Sequence, residues 1–221
     1  MATVSTTVLR TVPLFAGFPD DQLRTRSSVV TRRTVPRGAV IIVEGDPTDS
    51  LYIVISGRMR VLMSDADGKE VILAILGPGE FFGEMGLIDD SPRSATVMAV
   101  EACELIVITK RDFKKCLSEN FEMAMTVMRG LVRRLREADR KIGSLALLDV
   151  YGRVAHLLID MAEMVNGQRI VTRRLPKQDI AKMIGASREM VSRVMRDLQL
   201  GGFIEVRGSQ ILLRDKILLP E

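Results

Sequence analysis

The sequence predicts an α+β chain, with an antiparallel β-roll in its first half, one long amphipathic helix and a small basic module of helices and a hairpin. Three observations predict it. Short β-branched runs alternate with turn formers between Val35 and Thr109; beyond Arg111 the apolar period changes from about two to about 3.5; and positive charge gathers in the C-terminal half. Residues 1–118 carry 14 basic and 15 acidic groups, whereas 119–221 carry 18 and 13, and 169–196 holds eight basic groups against Asp179 and Glu189. A basic half of this kind suits a nucleic-acid partner.

Composition narrows the classes further. With 221 residues, 47% hydrophobic and 27% charged, the chain is neither disordered nor collagenous. No apolar run approaches the roughly 18 residues that cross a bilayer, and Met1 to Phe18 lacks a basic n-region and a cleavable apolar core, so a cytoplasmic location away from membranes is expected. Cys103 and Cys116 are the only cysteines and His156 the only histidine. They supply no disulfide framework, zinc site, iron–sulfur cluster or haem ligand within the roll, and nothing to activate a water as in a metal-dependent phosphodiesterase. Neither an enzyme nor a resident cofactor or metal is expected.

The strand runs are Val40 to Val43, Leu51 to Ile55, Arg60 to Met63, Glu70 to Leu76, Ala95 to Val100 and Glu104 to Ile108. Turn formers separate them: Pro36-Arg37-Gly38, Glu44-Gly45-Asp46-Pro47, Ser56-Gly57, Asp65-Ala66-Asp67-Gly68 and Gly77-Pro78-Gly79. Their spacing of roughly 8–12 residues fits an eight-stranded jelly roll. One stretch, Gly79 to Thr96, is too long for a hairpin turn. Within it Gly83 and Gly86 allow close backbone approach to a ligand, and Glu84 to Ile88 can form a helical turn with free N–H groups. Arg93 offers a two-pronged donor for phosphate oxygens and Ser94 a hydroxyl, while ionised Glu84 suits a sugar hydroxyl and would repel a phosphate beside it.

These residues carry a resemblance. Phe82-Gly83-Glu84-Met85-Gly86-Leu87 followed by Pro92-Arg93-Ser94-Ala95-Thr96 resembles the phosphate-binding cassette of cyclic-nucleotide-binding domains in the CRP/FNR superfamily. The resemblance implies that Glu84 holds the ribose hydroxyl and Arg93 the cyclic phosphate, with Gly83, Ser94 and Ala95 as further donors and Met85 and Gly86 within the same cassette.

Past Arg111 a stripe of Leu117, Phe121, Ala124, Met128, Leu131, Leu135, Ala138, Ile142 and Leu145 steps alternately by four and three residues, the pattern of a coiled-coil seam. A helix over 112–146 would extend about 50 Å, longer than a small roll covers, so homodimerisation through this helix is expected. Leu131-Val132-Arg133-Arg134-Leu135 and Lys141 to Val150 resemble the family's central helix. The resemblance implies that Arg134 lies near the phosphate and the cassette glutamate, and that Ala138-Asp139 stand where a Thr-Ser pair reads adenine. Alanine has no side-chain donor and aspartate only accepts, so guanine, with N1–H and N2–H₂, pairs with Asp139 better than the adenine contact allows. Cyclic AMP is the first expectation, and cyclic GMP and cyclic di-GMP stay open beside it.

From Leu175 to Leu198 two helices with a tight turn are written. Pro176 begins the first, Gly185 permits the left-handed turn and Ser187 caps the second. Ile180, Ala181 and Ile184 bury one side of the first helix, and Met190, Val191, Val194 and Leu198 one side of the second. Arg188, Glu189, Ser192, Arg193 and Arg196 are left exposed, and arginine on guanine and glutamate on cytosine make the first, second and fourth of these a major-groove reader. Ser187-Arg188-Glu189 with Arg193 resembles the family's recognition helix, implying a TGTGA-like half-site. Two alternating strands around Arg207-Gly208-Ser209-Gln210 read as a wing, and Lys177, Arg173, Arg174, Arg207 and Ser209 as phosphate contacts.

The resulting expectation is a β-roll over 1–110, a dimerisation helix over 111–148 and a winged helix-turn-helix over 149–221. The resemblance implies a cyclic-nucleotide-responsive regulator that binds double-stranded DNA as a homodimer and meets RNA polymerase. A ligand-independent regulator with a vestigial cassette is the alternative.

Overall fold

A computed structural model describes residues 4–27, 30–173 and 175–214 and divides into two compact units, Met1–Arg134 and Leu135–Glu221. The first unit opens with α1 (Thr6–Arg10), a 3-10 turn (Pro13–Phe15) and α2 (Asp20–Ser27). Eight strands follow: β1 (Thr31–Val35), β2 (Val40–Ile42), β3 (Ser50–Ser56), β4 (Met59–Ser64), β5 (Glu70–Leu76), β6 (Phe81–Phe82), β7 (Thr96–Ala99) and β8 (Cys103–Thr109). They form two four-stranded antiparallel sheets, ordered β1-β8-β3-β6 and β2-β7-β4-β5, the expected roll.

Alternation along β3 explains how the roll is held. Tyr52 and Val54 point into the core between the sheets, with Val35, Phe82, Val97 and Leu105. Leu51 and Ile53 point the other way, into a second core that the N-terminal helices close with Leu9, Phe15 and Leu23. Successive strand residues face opposite sides, so one fully apolar strand can serve two cores. The sequence reading missed β1, three of whose five residues are exposed, and β6, only two residues long.

The single helix expected over 112–146 is two. α4 (Lys110–Glu119) ends at Asn120, whose extended backbone (φ −138°, ψ 104°) stops the helix. The Asn120 side chain then accepts a 2.9 Å hydrogen bond from the Met123 N–H and so starts α5 (Phe121–Leu147). Asparagine competes with the helical backbone in this way, and a period count does not register it. Leu117 therefore belongs to α4 and packs on the N-terminal core, and the 27 residues of α5 span about 40 Å rather than 50.

In the second unit α6 (Val150–Met161) is capped by Asp149, which accepts a 2.8 Å hydrogen bond from the Gly152 N–H. Strands β9 (Glu163–Val165) and β10 (Gln168–Val171) follow, then α7 (Lys177–Ile184), α8 (Arg188–Leu200), β11 (Ile204–Arg207) and β12 (Gln210–Leu213). One antiparallel sheet orders the strands β11-β12-β10-β9. Gly185, at φ +64°, supplies the left-handed cap of α7, and the Ser187 hydroxyl accepts from the Met190 N–H at 3.2 Å to begin α8. The hairpin β9–β10 was not anticipated, although Asn166-Gly167, both at positive φ, is a strong two-residue hairpin signal. Met190 also departs from expectation: it is 44% exposed, and Met195 takes the buried place beside Val191, Val194 and Leu198.

Candidate functional site

In the first unit β6 delivers Gly83 at φ +83°, where a Cβ would lie 2.5 Å from an Arg93 guanidinium nitrogen. Only glycine lets the chain pass there without displacing that cation. Next comes Glu84, 1% exposed, and then the single turn α3 (Met85–Ile88). Gly86 passes so close to the Ser91 carbonyl and the Thr48 hydroxyl that a side chain would collide with both.

Two arginines define the chemistry. Arg93 is 6% exposed; it donates to the Gly83 carbonyl at 3.0 Å and to the Asp49 carboxylate at 3.0 Å. Its guanidinium also lies 5.8 Å from the centre of the Tyr52 ring. Arg134, from α5, donates to one oxygen of Glu84 and to the Phe81 carbonyl. The other oxygen of Glu84, Oε2, is buried with no hydrogen-bond partner. Glu84 and Arg93 line one cavity with Gly83, Met85, Gly86, Ser94, Ala95 and Arg134, against an apolar wall of Ile42, Val61, Phe82 and Val97. A buried cation and a buried carboxylate with an empty acceptor position together suit a ligand that is an anion on one side and a hydroxyl donor on the other.

The neighbouring chain stitches this loop in place. The Arg93 N–H donates to the Asp46 carbonyl and its carbonyl accepts from Gly45, both at 2.9 Å. Asp90, in the left-handed region at φ +58°, is held by Lys110 at 2.7 Å and Lys114 at 2.9 Å. Hydrogen bonds from Lys110 and then Lys114 lower its carboxyl pKa to about 2. Sequence reasoning did not single out Asp49, Asp90, Lys110 or Lys114, since their partners lie 20 to 44 positions away with no local signal.

Ala138 and Asp139 lie past Arg134 on α5, exposed, and are not among the residues lining this cavity. Along α5 Met123 and Val127 are buried against the roll, whereas Phe121, Met128, Leu135, Ile142 and Leu145 are exposed.

In the second unit Arg188, Glu189, Ser192, Arg193 and Arg196 line one hollow of about 440 Å³ on α8. Lys177 is exposed on the first turn of α7, and the Ser187 hydroxyl is engaged in capping. Arg173 and Arg207 are paired with Glu163 at 3.8 Å and Glu205 at 2.7 Å, so neither is an unengaged cation. Arg174 lies outside the described residues. Among the described residues no group of three or more His, Cys, Asp and Glu side chains could hold a metal ion, and no helix is long and apolar enough to cross a membrane.

Comparison with known proteins gives the same two parts. Residues 32–120 match the cyclic nucleotide-binding domain and 152–219 the Crp-like helix-turn-helix domain. The chain is 35% identical over 209 residues to the cyclic AMP receptor protein of Thermus thermophilus, covering 95% of each. It is 35% identical over 192 residues to the cAMP-activated global transcriptional regulator Vfr of Pseudomonas aeruginosa, covering 82% of this chain and 88% of that one. Among solved structures it is similar to CLP of Xanthomonas campestris, described as a c-di-GMP responsive global regulator, at TM-score 0.74 and 30% identity, covering 88% of this chain and 99% of that one. These relatives are transcription regulators, not enzymes. With a cassette cavity in one unit, a helix-turn-helix in the other and such relatives across nearly its whole length, the chain belongs to the CRP/FNR superfamily as a cyclic-nucleotide-binding transcription regulator.

Proposed function

We propose that the chain is a cytoplasmic, homodimeric regulator whose affinity for palindromic operators is set by cyclic AMP. The observation that carries this is the buried, unpartnered Oε2 of Glu84 in the cavity that also holds the buried Arg93. An unpaired buried acceptor is costly, and a ribose hydroxyl removes that cost. Arg93 takes the cyclic phosphate, with the Ser94 hydroxyl and the backbone of Gly83 and Ala95 as further donors. Met85 and Gly86 close the cassette, and Arg134 holds Glu84 in place. Cyclic AMP is favoured by the names of the relatives from Thermus and Pseudomonas.

The second reading is a guanine ligand, cyclic di-GMP or cyclic GMP. Asp139, exposed on α5 beside Ala138, only accepts hydrogen bonds and suits guanine N1–H and N2–H₂; similarity to CLP supports it as well. Titration calorimetry of the purified protein with cyclic AMP, cyclic GMP and cyclic di-GMP tests both. Heat from cyclic AMP alone is expected, heat from a guanine nucleotide alone assigns base choice to Ala138 and Asp139, and silence from all three overturns ligand control in favour of a vestigial cassette.

The proposed division is a β-roll over 1–110, a dimerisation segment over 111–148 in which α5 alone carries the seam, and a DNA-binding part over 149–221. The exposed stripe on α5 is the dimer seam. In each half-site, TGTGA-like by family resemblance, Arg188 and Arg193 take guanine O6 and N7, and Glu189 takes cytosine N4. Ser192 lies alongside, and Lys177 and Ser187 contact the phosphate backbone. Ligand binds the DNA-competent dimer, with its recognition helices about 34 Å apart, more tightly than other states. A coupling of about 1–3 kcal/mol then gives about 5–150-fold tighter operator binding, and RNA polymerase is the next partner. Arg193→Ala is expected to cost about 1–3 kcal/mol on the preferred operator and to relax specificity at one base pair. Equal weakening on every sequence in a binding titration would instead make Arg193 a phosphate contact.

A further inference from the structure

Gly130 sits in the interior of α5, where glycine is, after proline, the least favourable residue. The reason lies across the helix. A Cβ at Gly130 would come within 2.8 Å of Phe81 Cζ and 3.3 Å of Cε1. Phe81 is buried in the core of the first unit with Ile53, Ile106, Met123 and Val127, so its ring has little room to give. One helical turn further on, on the same face of α5, Arg134 lies 5.2 Å from the centre of that ring and donates to the Phe81 carbonyl. Phe81 therefore meets α5 twice, at the bare backbone of Gly130 and at Arg134, the residue that holds Glu84.

We propose that Gly130 is a positioning residue of the nucleotide site. Its missing side chain lets the Phe81 ring rest against α5, and that approach sets the reach of Arg134 to the Phe81 carbonyl and to Glu84, leaving Glu84 Oε2 free for the ligand. The inference rests on the reading of this cavity as a cyclic-nucleotide site. A methyl group at position 130 pushes α5 and β6 apart and loosens the hold on Glu84. Alanine is at the same time the better helix former, so the variant should not melt earlier for lack of helix propensity.

The test compares wild type, Gly130→Ala, Gly143→Ala and the double variant Gly130→Ala/Phe81→Leu by titration calorimetry with the nucleotide that the wild type binds, and by thermal melting without ligand. Gly143 lies on the same helix with nothing within 4 Å of the position its Cβ would take, and controls for helix propensity. The expected result is an affinity loss of about fivefold or more in Gly130→Ala. Its unliganded melting temperature should change little, because the gain in helix propensity offsets part of the overpacking; Gly143→Ala should bind as wild type, and the double variant should recover part of the loss. Wild-type affinity in Gly130→Ala, the same loss in Gly143→Ala, or a loss that follows an equal fall in melting temperature without rescue would overturn the proposal. If the wild type binds none of the three cyclic nucleotides, the reading of the cavity fails first and the positioning role falls with it.

Discussion

Arg93→Leu is expected to drop cyclic-nucleotide binding below detection while leaving a folded dimer. The guanidinium is the buried cation of the cavity, 6% exposed, and its fork is already aimed by the Gly83 carbonyl and the Asp49 carboxylate. Leucine leaves a cyclic phosphate without its buried counter-charge, since Arg134, the other cation lining the cavity, is already paired with Glu84. Breaking a buried pair from one side costs about 3–5 kcal/mol, or about two to four orders of magnitude in affinity. Arg93→Lys should fall between, since lysine keeps the charge and loses the planar fork. The fold is expected to tolerate leucine because Asp49 is exposed and water takes over its hydrogen bond. Calorimetry reads the affinity and sedimentation the assembly; binding by the Arg93→Leu variant within threefold of wild type would falsify the assignment of Arg93 to the phosphate.

Leu135→Asp is expected to turn the dimer into a monomer of unchanged secondary structure. Leu135 is 62% exposed within its own chain, so a carboxylate there disturbs no packing in the monomer. In a two-fold dimer the same residue enters the seam from both copies, and the substitution places two like charges at its centre. Each loses the apolar burial of a leucine, about 1.5–3 kcal/mol, before the cost of desolvating the charge. Circular dichroism should be unaltered and sedimentation should report the monomer mass. Operator affinity should fall by about 10²–10⁴, the advantage of two linked half-site contacts over one. A dimer that survives would show that another surface holds the copies together.

Much of the fold was legible because the signals are local. Val40 to Ile42 and Glu70 to Leu76 announce themselves by β-branched runs between turn formers, and Gly185 and Ser187 mark the helix-turn-helix by backbone conformation and capping. β1 was illegible because Arg32 and Arg33 interrupt its apolar pattern; pairing with β8, from Thr31 opposite Val107 to Val35 opposite Cys103, makes it a strand. Asn120 was missed because a side chain closing on the Met123 N–H overrides an unbroken apolar period.

The candidate site divides along the same line. By itself the sequence determined that Gly83, Glu84, Arg93 and Ser94 share a loop, that α8 carries Arg188, Glu189 and Arg193 on one face, and that α5 bears an apolar stripe. Periodicity, capping and turn chemistry act over a few residues and can be read from neighbours. The family resemblance implies Arg134 near Glu84, but only the tertiary structure decided that it hydrogen-bonds one oxygen of that carboxylate across 50 positions and that Arg93 meets Asp49 across 44. It also decided that Glu84 keeps one buried oxygen without a partner and that Gly130 admits the Phe81 ring. Which distant groups meet depends on how the sheets and α5 close over a shared core, and close packing of that core fixes such distances where no local pattern can.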